Sequence, residues 1–275
     1  MRIVPDSPTV NVKEMRNLVY RNLNGRLLKI DAFVPRGKKR TPAILLIHGG
    51  GWRSGNRSQH IPLAQHLAAN SFACFTVEYR LSTEALYPAA VYDLKAAVRW
   101  IRANASKFNV DTAKIVTLGF SAGGELAAFM GITTGMPKFE GDGANKGPSS
   151  GVQAVIDIDG TLSFVSPDSW ETQNVATVGA SAWWIGYPRT ENIALWTEAS
   201  PFTHAQNNKA PFLFLNSSIE RMHAGRDEFK KLSTAKGLYV EVKQFGETPH
   251  SFCLYEPWFT PTVETVKTFL NKVFK

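Results

Sequence analysis

Six mainly apolar segments alternate with segments of helical periodicity, and this order of elements limits the fold more than any other feature of the sequence. The apolar segments are Ala43–Ile47, Phe72–Val77, Lys114–Leu118, Val152–Ile158, Pro211–Leu215 and Leu238–Val242. The helical segments are Gln59–Ala69, Ala89–Ala103, Glu125–Gly131, Arg226–Lys236 and Thr262–Phe274. Strands that are apolar throughout are typical of a sheet covered on both faces. We therefore predict an α/β fold with a mostly parallel, doubly wound sheet and helices on both faces.

An N-terminal hairpin precedes this alternation. Met15–Arg21 and Arg26–Val34 are strand-like, and Asn24-Gly25 between them is a dipeptide favoured in tight hairpin turns. No linker or internal repeat divides the chain, and a chain of 275 residues can bury most of its surface around one core. We therefore predict a single domain over residues 1–275.

Two segments interrupt the alternation and are predicted to be insertions, at about residues 135–151 and 160–208. The first is rich in Gly, Lys, Pro and Ser and is typical of an exposed excursion, and the second is too long for a simple crossover. The second carries a group of aromatic residues: Trp170, Trp183, Trp184, Tyr187 and Trp196. Two interpretations remain open, because these rings can pack against the sheet or line an acyl or sugar pocket above it.

The composition excludes several classes of protein. An apolar fraction of 44% excludes disorder. The two cysteines, Cys74 and Cys253, form neither a disulfide framework nor a zinc-binding spacing, so we expect buried thiols and no metal or other cofactor. The net charge of +8 is dispersed, which favours acidic polymers over a nucleic-acid interface. No apolar run could span a membrane, so we expect a soluble protein, either cytoplasmic or the mature part of a secreted or periplasmic one.

Gly119-Phe120-Ser121-Ala122-Gly123 matches the pattern G-x-S-x-G. It lies directly after an apolar strand and directly before a helical segment, which is the context that a nucleophile elbow requires. In such an elbow the serine is held in a strained turn with its hydroxyl exposed, and the glycines allow close approach of the backbone. Ser121 is therefore the candidate nucleophile.

A second motif, His48-Gly49-Gly50-Gly51-Trp52, follows the first apolar strand of the predicted parallel sheet. Three glycines at the carboxyl end of a buried strand leave backbone N–H groups uncovered by side chains. Such donors can stabilise the oxyanion of a tetrahedral intermediate, each by about 3 kcal/mol. We interpret the motif as half of an oxyanion hole, with Trp52 in contact with substrate.

Together these motifs resemble those of the α/β-hydrolase superfamily, in particular its esterases with an HGGG loop. The sequence is similar to bacterial carboxylesterases and to carbohydrate acetyl or feruloyl esterases in which the loop extends to HGGGW. Further points of resemblance are Glu78-Tyr79-Arg80-Leu81, Tyr87-Pro88-Ala89-Ala90 and Ala199-Ser200-Pro201. The resemblance implies a serine hydrolase with a triad in the order Ser, acid, His, and an oxyanion hole formed by the amides of Gly50, Gly51 and Ala122.

The resemblance also selects the base and the acid of the triad. The family's histidine lies between the last strand and the final helix, and His250 meets that condition; His48 and His204 are expected to be structural. The family's acid follows the strand Pro211–Leu215, where Glu220 takes the position usually held by aspartate. Glu220 is therefore the predicted acid, with Asp227 as the alternative.

These residues predict ester hydrolysis through an acyl-enzyme on Ser121. By family analogy, the expected substrates are small-molecule or polysaccharide esters, above all acetyl groups on plant polysaccharides such as xylan. The alternatives are a general short-chain carboxylesterase, an amidase resembling arylformamidase, or a noncatalytic binding module with a hydrolase fold. Nucleic-acid and membrane partners are not expected.

Overall fold

The computed structural model describes residues 1–37, 39–143, 147–169 and 178–275, and its centre is an eight-stranded sheet. Ten strands are described: β1 (Arg2–Ile3), β2 (Val12–Leu23), β3 (Arg26–Pro35), β4 (Thr41–Ile47), β5 (Ala73–Val77), β6 (Val110–Phe120), β7 (Ala154–Ile158), β8 (Phe212–Asn216), β9 (Val240–Gln244) and β10 (Tyr255–Glu256). The large sheet has the order β2-β3-β5-β4-β6-β7-β8-β9, and β1 pairs with β10 in a small second sheet.

The pairing directions confirm a mostly parallel sheet with an N-terminal hairpin. Strands β4 to β9 are parallel to one another, whereas β2 and β3 form an antiparallel hairpin at one edge. Asn24 and Gly25, both with positive φ, form its turn. The strand β3 also pairs antiparallel with β5, so the hairpin extends the parallel part of the sheet. This is the architecture that the sequence pattern and the resemblance predict.

Seven described α-helices accompany the sheet. They are α1 (Ile61–Ala69), α2 (Ala89–Ala103), α3 (Ala122–Ile132), α4 (Ala180–Ile185), α5 (Ile193–Ala199), α6 (Arg226–Ala235) and α7 (Phe259–Val273). The second insertion contains α4, α5 and a 3₁₀ helix, Pro201–Asn207. The described part of the first insertion has one short 3₁₀ helix, Pro137–Phe139. Trp170, one of the aromatic residues singled out above, lies outside the described residues.

Both faces of the central part of the sheet are buried, which explains why β4, β5, β7 and β8 are mainly apolar. Alternate side chains of β4 divide between two cores: Leu45 packs on one face with α2 and α3, and Ile44 on the other with α1 and α7. Burying a side chain of this size stabilises the fold by about 1.5–3 kcal/mol. Because the parallel strands share one direction, their carboxyl ends meet at one edge, where the loops after β4, β6, β7 and β8 converge.

Candidate active site

Ser121 occupies the sharp turn between β6 and α3 that the sequence predicts. Its backbone has φ +56° and ψ −122°, a conformation that a residue with a side chain rarely adopts. The turn is held by the Ser121 N–H, which donates to the carbonyl of Ile158 at 2.8 Å. A Cβ atom on Gly119 would lie 1.9 Å from the Gly123 carbonyl oxygen, so the turn can close only with glycine there.

His250 joins the nucleophile to an acid in one hydrogen-bonded chain. Its Nε2 lies 2.8 Å from Ser121 Oγ, and its Nδ1 lies 3.0 Å from Asp159 Oδ2. This is the geometry of a catalytic triad, in which one ring nitrogen faces the nucleophile and the other is oriented by a carboxylate. The structure therefore brings Ser121 and His250 together as predicted, although 129 positions separate them in the sequence.

The carboxylate on His250 is Asp159, so the predicted pairing of His250 with Glu220 is wrong. After β8 the chain turns into an exposed 3₁₀ helix, Glu220–His223, and Glu220 lies at its start. The alternative, Asp227, is also exposed and pairs with Arg226, whose hydrogen bond lowers the pKa of the Asp227 carboxyl. Sequence reasoning missed Asp159 although a signal was present, since it immediately follows a buried strand.

The loop after β8 does not supply the acid of the triad but donates hydrogen bonds to it. Asp159 is buried, and its Oδ1 accepts hydrogen bonds from the Ser217 N–H at 2.8 Å and from Asn216 Nδ2 at 3.3 Å. Asn216 is held in turn by Arg226, which donates to its Oδ1 at 3.0 Å. Donors on one oxygen of Asp159 stabilise its charged form and leave Oδ2 for the histidine.

The glycine loop and the start of α3 carry the amides expected to form an oxyanion hole. Gly50 and Gly51 have φ angles of +120° and +59°. No described residue accepts a hydrogen bond from the amides of Gly50, Gly51 or Ala122. Gly51 and Ala122 line a cavity together with Ser121 and His250. A Cβ atom on Gly50 would lie 2.3 Å from the Ser54 carbonyl oxygen, so the turn of this loop requires glycine.

The cavity beside Ser121 is small, with a volume of about 190 Å³, and part of its lining is polar. Pockets for drug-sized ligands are typically about 300–1,000 Å³. Trp52 lines the cavity, and its indole N–H donates to Glu125 Oε2 at 3.0 Å; its contact with substrate stays a prediction. Its ring stacks on Trp184 with 4.8 Å between centroids. The other lining residues are Glu125, Thr161, Ala180, Arg221 and Met222.

Two further histidines have structural roles, as predicted. His48 is buried, stacks on the Tyr79 ring at 4.4 Å between centroids, and places its Nδ1 2.8 Å from the Gly49 carbonyl oxygen. Burial lowers the pKa of His48 to about 4, so its ring is neutral at neutral pH. His204 lies in the 3₁₀ helix Pro201–Asn207, and its Nε2 lies 2.8 Å from the Glu198 carbonyl oxygen at the end of α5.

The described aromatic residues of the second insertion fall into a buried pair and an exposed pair, and a pocket lined by the exposed pair stays a prediction. Trp184 and Trp196 are buried in the core, the second with its indole N–H on the Tyr187 carbonyl. Trp183 and Tyr187 are 53% and 48% exposed. The guanidinium of Arg53 stacks on the Trp183 ring at 4.7 Å from its centroid, and Arg53 directly follows the cavity residue Trp52.

The described ranges lack two kinds of feature. Among residues 1–37, 39–143, 147–169 and 178–275, no cluster of three or more His, Cys, Asp or Glu side chains could hold a metal ion. Within the same ranges, no helix has the length and apolar character needed to cross a membrane.

Known proteins are similar to this chain in sequence and in architecture. Esterase LipC of Mycobacterium tuberculosis (strain ATCC 25618 / H37Rv) is 27% identical over 270 residues, covering 94% of this chain and 65% of LipC. A truncated carbohydrate esterase from gut microbiota has a TM-score of 0.80 at 23% identity, covering 98% of this chain and 99% of that one. A bifunctional GH43-CE protein of Bacteroides eggerthii has a TM-score of 0.78 at 25% identity, covering 94% of this chain and 38% of that one.

A family profile also matches more than half of this chain. The chain spans less than two thirds of the length of the curated relatives that it matches. The architecture is that of an α/β-hydrolase, as in the solved structures. The profile of the BD-FAE family matches residues 30–222, a range that includes the glycine loop, the serine elbow and Asp159. The chain therefore belongs to the BD-FAE family.

Proposed function

We propose that this protein is a serine carboxylic-ester hydrolase that works through an acyl-enzyme on Ser121. The observation that carries the proposal is the hydrogen-bonded chain from Ser121 through His250 to Asp159, which opens onto the small cavity. The esterase activity named for the curated relative LipC supports the same reaction class. Ser121 is the nucleophile, His250 the general base and Asp159 the residue that orients and stabilises the imidazolium.

The proposed reaction proceeds by two displacements. Ser121 Oγ attacks the ester carbonyl carbon while His250 Nε2 takes the hydroxyl proton. The carbonyl oxygen becomes an oxyanion, which accepts hydrogen bonds from the amides of Gly50, Gly51 and Ala122. His250 then returns the proton to the alcohol oxygen as that bond breaks. A water molecule, deprotonated by His250, attacks the acyl-enzyme and releases the carboxylic acid together with free Ser121.

We propose further that the substrates are acetyl esters of carbohydrates. The small cavity favours a short acyl group. The exposed ring of Trp183 lies one helical turn beyond Ala180, which lines the cavity, and an exposed ring of this kind can pack on a sugar. The similarity to a protein described as a bifunctional GH43-CE is in keeping with this class. The two alternatives are a general short-chain esterase and an amidase.

The reaction class is tested by replacing the nucleophile. Ser121→Ala is expected to lower kcat on 4-nitrophenyl acetate by about four to six orders of magnitude, because the acyl-enzyme cannot form. Ser106→Ala, at an exposed serine just after α2, is the matched control and is expected to keep its activity. A Ser121→Ala variant that retained a tenth of the wild-type rate would contradict the assignment. Fluorophosphonate that failed to label Ser121 would favour a noncatalytic binding module.

The substrate class is tested on acetylated xylan with a variant of the exposed ring. Trp183→Ala is expected to raise KM for acetylated xylan about tenfold and to leave 4-nitrophenyl acetate unaffected, because only the polymer reaches the ring. Val19→Ala, at an exposed apolar residue of the edge strand β2, is the control. Absence of acetate release from xylan, with intact hydrolysis of the small ester, would favour the general short-chain esterase. Cleavage of 4-nitroacetanilide at a comparable rate would favour the amidase.

A further inference from the structure

The cavity beside Ser121 contains a carboxyl group that the proposed reaction does not use. Glu125 lies in the first turn of α3, four residues after Ser121. Side chains on a helix point back toward its N-terminus, so the Glu125 side chain lies over the turn that begins at Ser121. It is fully buried and lines the same cavity as Ser121, Ala122 and His250.

The two oxygens of this carboxyl group differ in their contacts. Oε2 accepts the indole N–H of Trp52 at 3.0 Å. Oε1 is buried and has no hydrogen-bond partner among the described residues. Burial, and to a smaller degree the neighbouring Asp157, raise the pKa of Glu125 well above its ordinary value, although the bond from Trp52 opposes this. Burial therefore favours the neutral form of the group, and because Oε2 accepts from Trp52, we place its proton on the unpartnered Oε1.

The position of the Glu125 O–H group indicates which part of a bound ester would contact it. His250 must return a proton to the leaving alcohol, so the alcohol lies on the His250 side of Ser121. Trp52 and Glu125 come from the two segments that carry the oxyanion amides, the glycine loop and the start of α3. Because Trp52 and Glu125 line the same cavity as Ser121, we place the acyl chain, which points away from the leaving alcohol, beside them.

We propose that Glu125 determines acyl specificity by restricting the substrate to acetyl esters, or to esters of short acyl chains that carry an oxygen acceptor. An acetyl group is too short to cover the O–H group. A longer alkyl chain would cover it without offering an acceptor, and a buried donor without an acceptor disfavours that substrate. An ether or hydroxyl oxygen at the same place in the chain would accept the hydrogen bond. This inference rests on the proposed ester hydrolysis.

The test uses two acyl groups of the same shape. Butyrate and methoxyacetate differ in one position, where a methylene group is replaced by an ether oxygen, and both are prepared with acetate as 4-nitrophenyl esters. The kcat/KM ratio of methoxyacetate to butyrate is divided by the ratio of their hydroxide-catalysed rates, which removes the greater electrophilicity of the ether ester. We expect the corrected ratio to exceed about 10 for the wild-type protein.

Two substitutions of Glu125 separate the hydrogen bond from side-chain size. Glu125→Met keeps the length but has no donor, so the corrected ratio is expected to fall about tenfold, mainly because butyrate becomes a better substrate. Glu125→Gln can accept from Trp52 and still donate an N–H into the cavity, so the ratio is expected to stay within about threefold of the wild-type value. Asp157→Asn is the control, because this buried carboxyl neighbours Glu125 but does not line the cavity.

Each outcome bears on the proposal. A wild-type corrected ratio near 1, or an unchanged ratio in Glu125→Met, would overturn it, as would an equal change in Asp157→Asn. If Glu125→Met does not fold, as judged by circular dichroism, the wild-type ratio decides alone, since it requires no substitution. Failure of the wild-type protein to cleave any of the three esters would overturn the proposed function and this inference with it.

Discussion

Two neighbouring loops reach His250 from the same edge of the sheet, and they contribute different things. The loop after β7 begins with Asp159, whose buried carboxylate lies 3.0 Å from the histidine. The loop after β8 begins with Asn216 and Ser217, which donate hydrogen bonds to that carboxylate. One loop therefore supplies the negative charge and its neighbour supplies the donors that stabilise it. The negative charge beside the histidine and the hydrogen bonds that support this charge therefore come from different strands of the same sheet edge.

The environments of the acidic residues explain why one of them can serve His250 and the others do not. Asp159 is fully buried, and described donors occupy both of its oxygens. Glu220 and Asp227 are exposed and line a separate polar cavity of about 460 Å³. Water screens an exposed carboxylate, and its ion pairs are worth at most about 1 kcal/mol. A carboxylate fixed in the interior keeps its position, and water does not screen its charge.

The largest expected effect comes from exchanging the acid on each loop in turn. Asp159→Asn is expected to lower kcat about 10⁴-fold, because the amide can favour the wrong tautomer of His250 and no longer stabilises the imidazolium. Glu220→Gln is expected to stay within about twofold of wild type. Steady-state kinetics on 4-nitrophenyl acetate measures both. A larger loss of kcat in Glu220→Gln than in Asp159→Asn would contradict the assignment of Asp159 as the acid.

A smaller effect is expected from the supporting loop. Asn216→Ala removes one donor from Asp159 and is expected to lower kcat/KM about tenfold, since a hydrogen bond to a charged group contributes about 1.5–3 kcal/mol. Asn271→Ala, at an exposed asparagine of α7, serves as the control and should match the wild-type value. Equal rates for Asn216→Ala and wild type would show that the loop after β8 does not support the acid.

Asp157 lies on β7, two residues before Asp159. Its protonation in the folded protein can be tested by the pH dependence of stability. Burial raises the pKa of the Asp157 carboxyl well above its ordinary value, and the nearby Asp159 adds to this shift. The folded state therefore holds a proton that the unfolded chain releases at lower pH, so the stability due to the neutral group is present at acidic pH and lost as pH rises. Between pH 5 and pH 8, the Tm of Asp157→Asn is expected to fall by a few degrees less than that of wild type. A parallel fall in both proteins would contradict a neutral Asp157.

The smallest effect is expected at the surface of the same region. Asp227→Asn removes the exposed partner of Arg226 and should change kcat/KM by less than about twofold. A loss comparable to that of Asn216→Ala would mean that Arg226 needs this ion pair in order to hold Asn216 in place.

The sequence allowed the sheet, the hairpin, Ser121 and His250 to be predicted, and it misplaced the acid. The strands and Ser121 are encoded locally, in apolar runs and in a pentapeptide whose glycines the turn requires. The identity of the acid depends on which strand ends beside the His250 loop, which is a property of the packed sheet. Glu220 met the expected spacing, but a 3₁₀ helix places it at the surface. The role inferred for Glu125 also required the structure, because its contact with Trp52 joins segments that are 73 residues apart.

The central claim, that Asp159 orients His250, is tested most directly by the nitrogen-15 NMR spectrum of protein labelled in its histidines. The resonances of His250 report which ring nitrogen carries the proton in the neutral ring. We predict a proton on Nδ1 in the wild-type protein and in Glu220→Gln, and loss of this preference in Asp159→Asn. A tautomer that is unchanged in Asp159→Asn and altered in Glu220→Gln would contradict the claim.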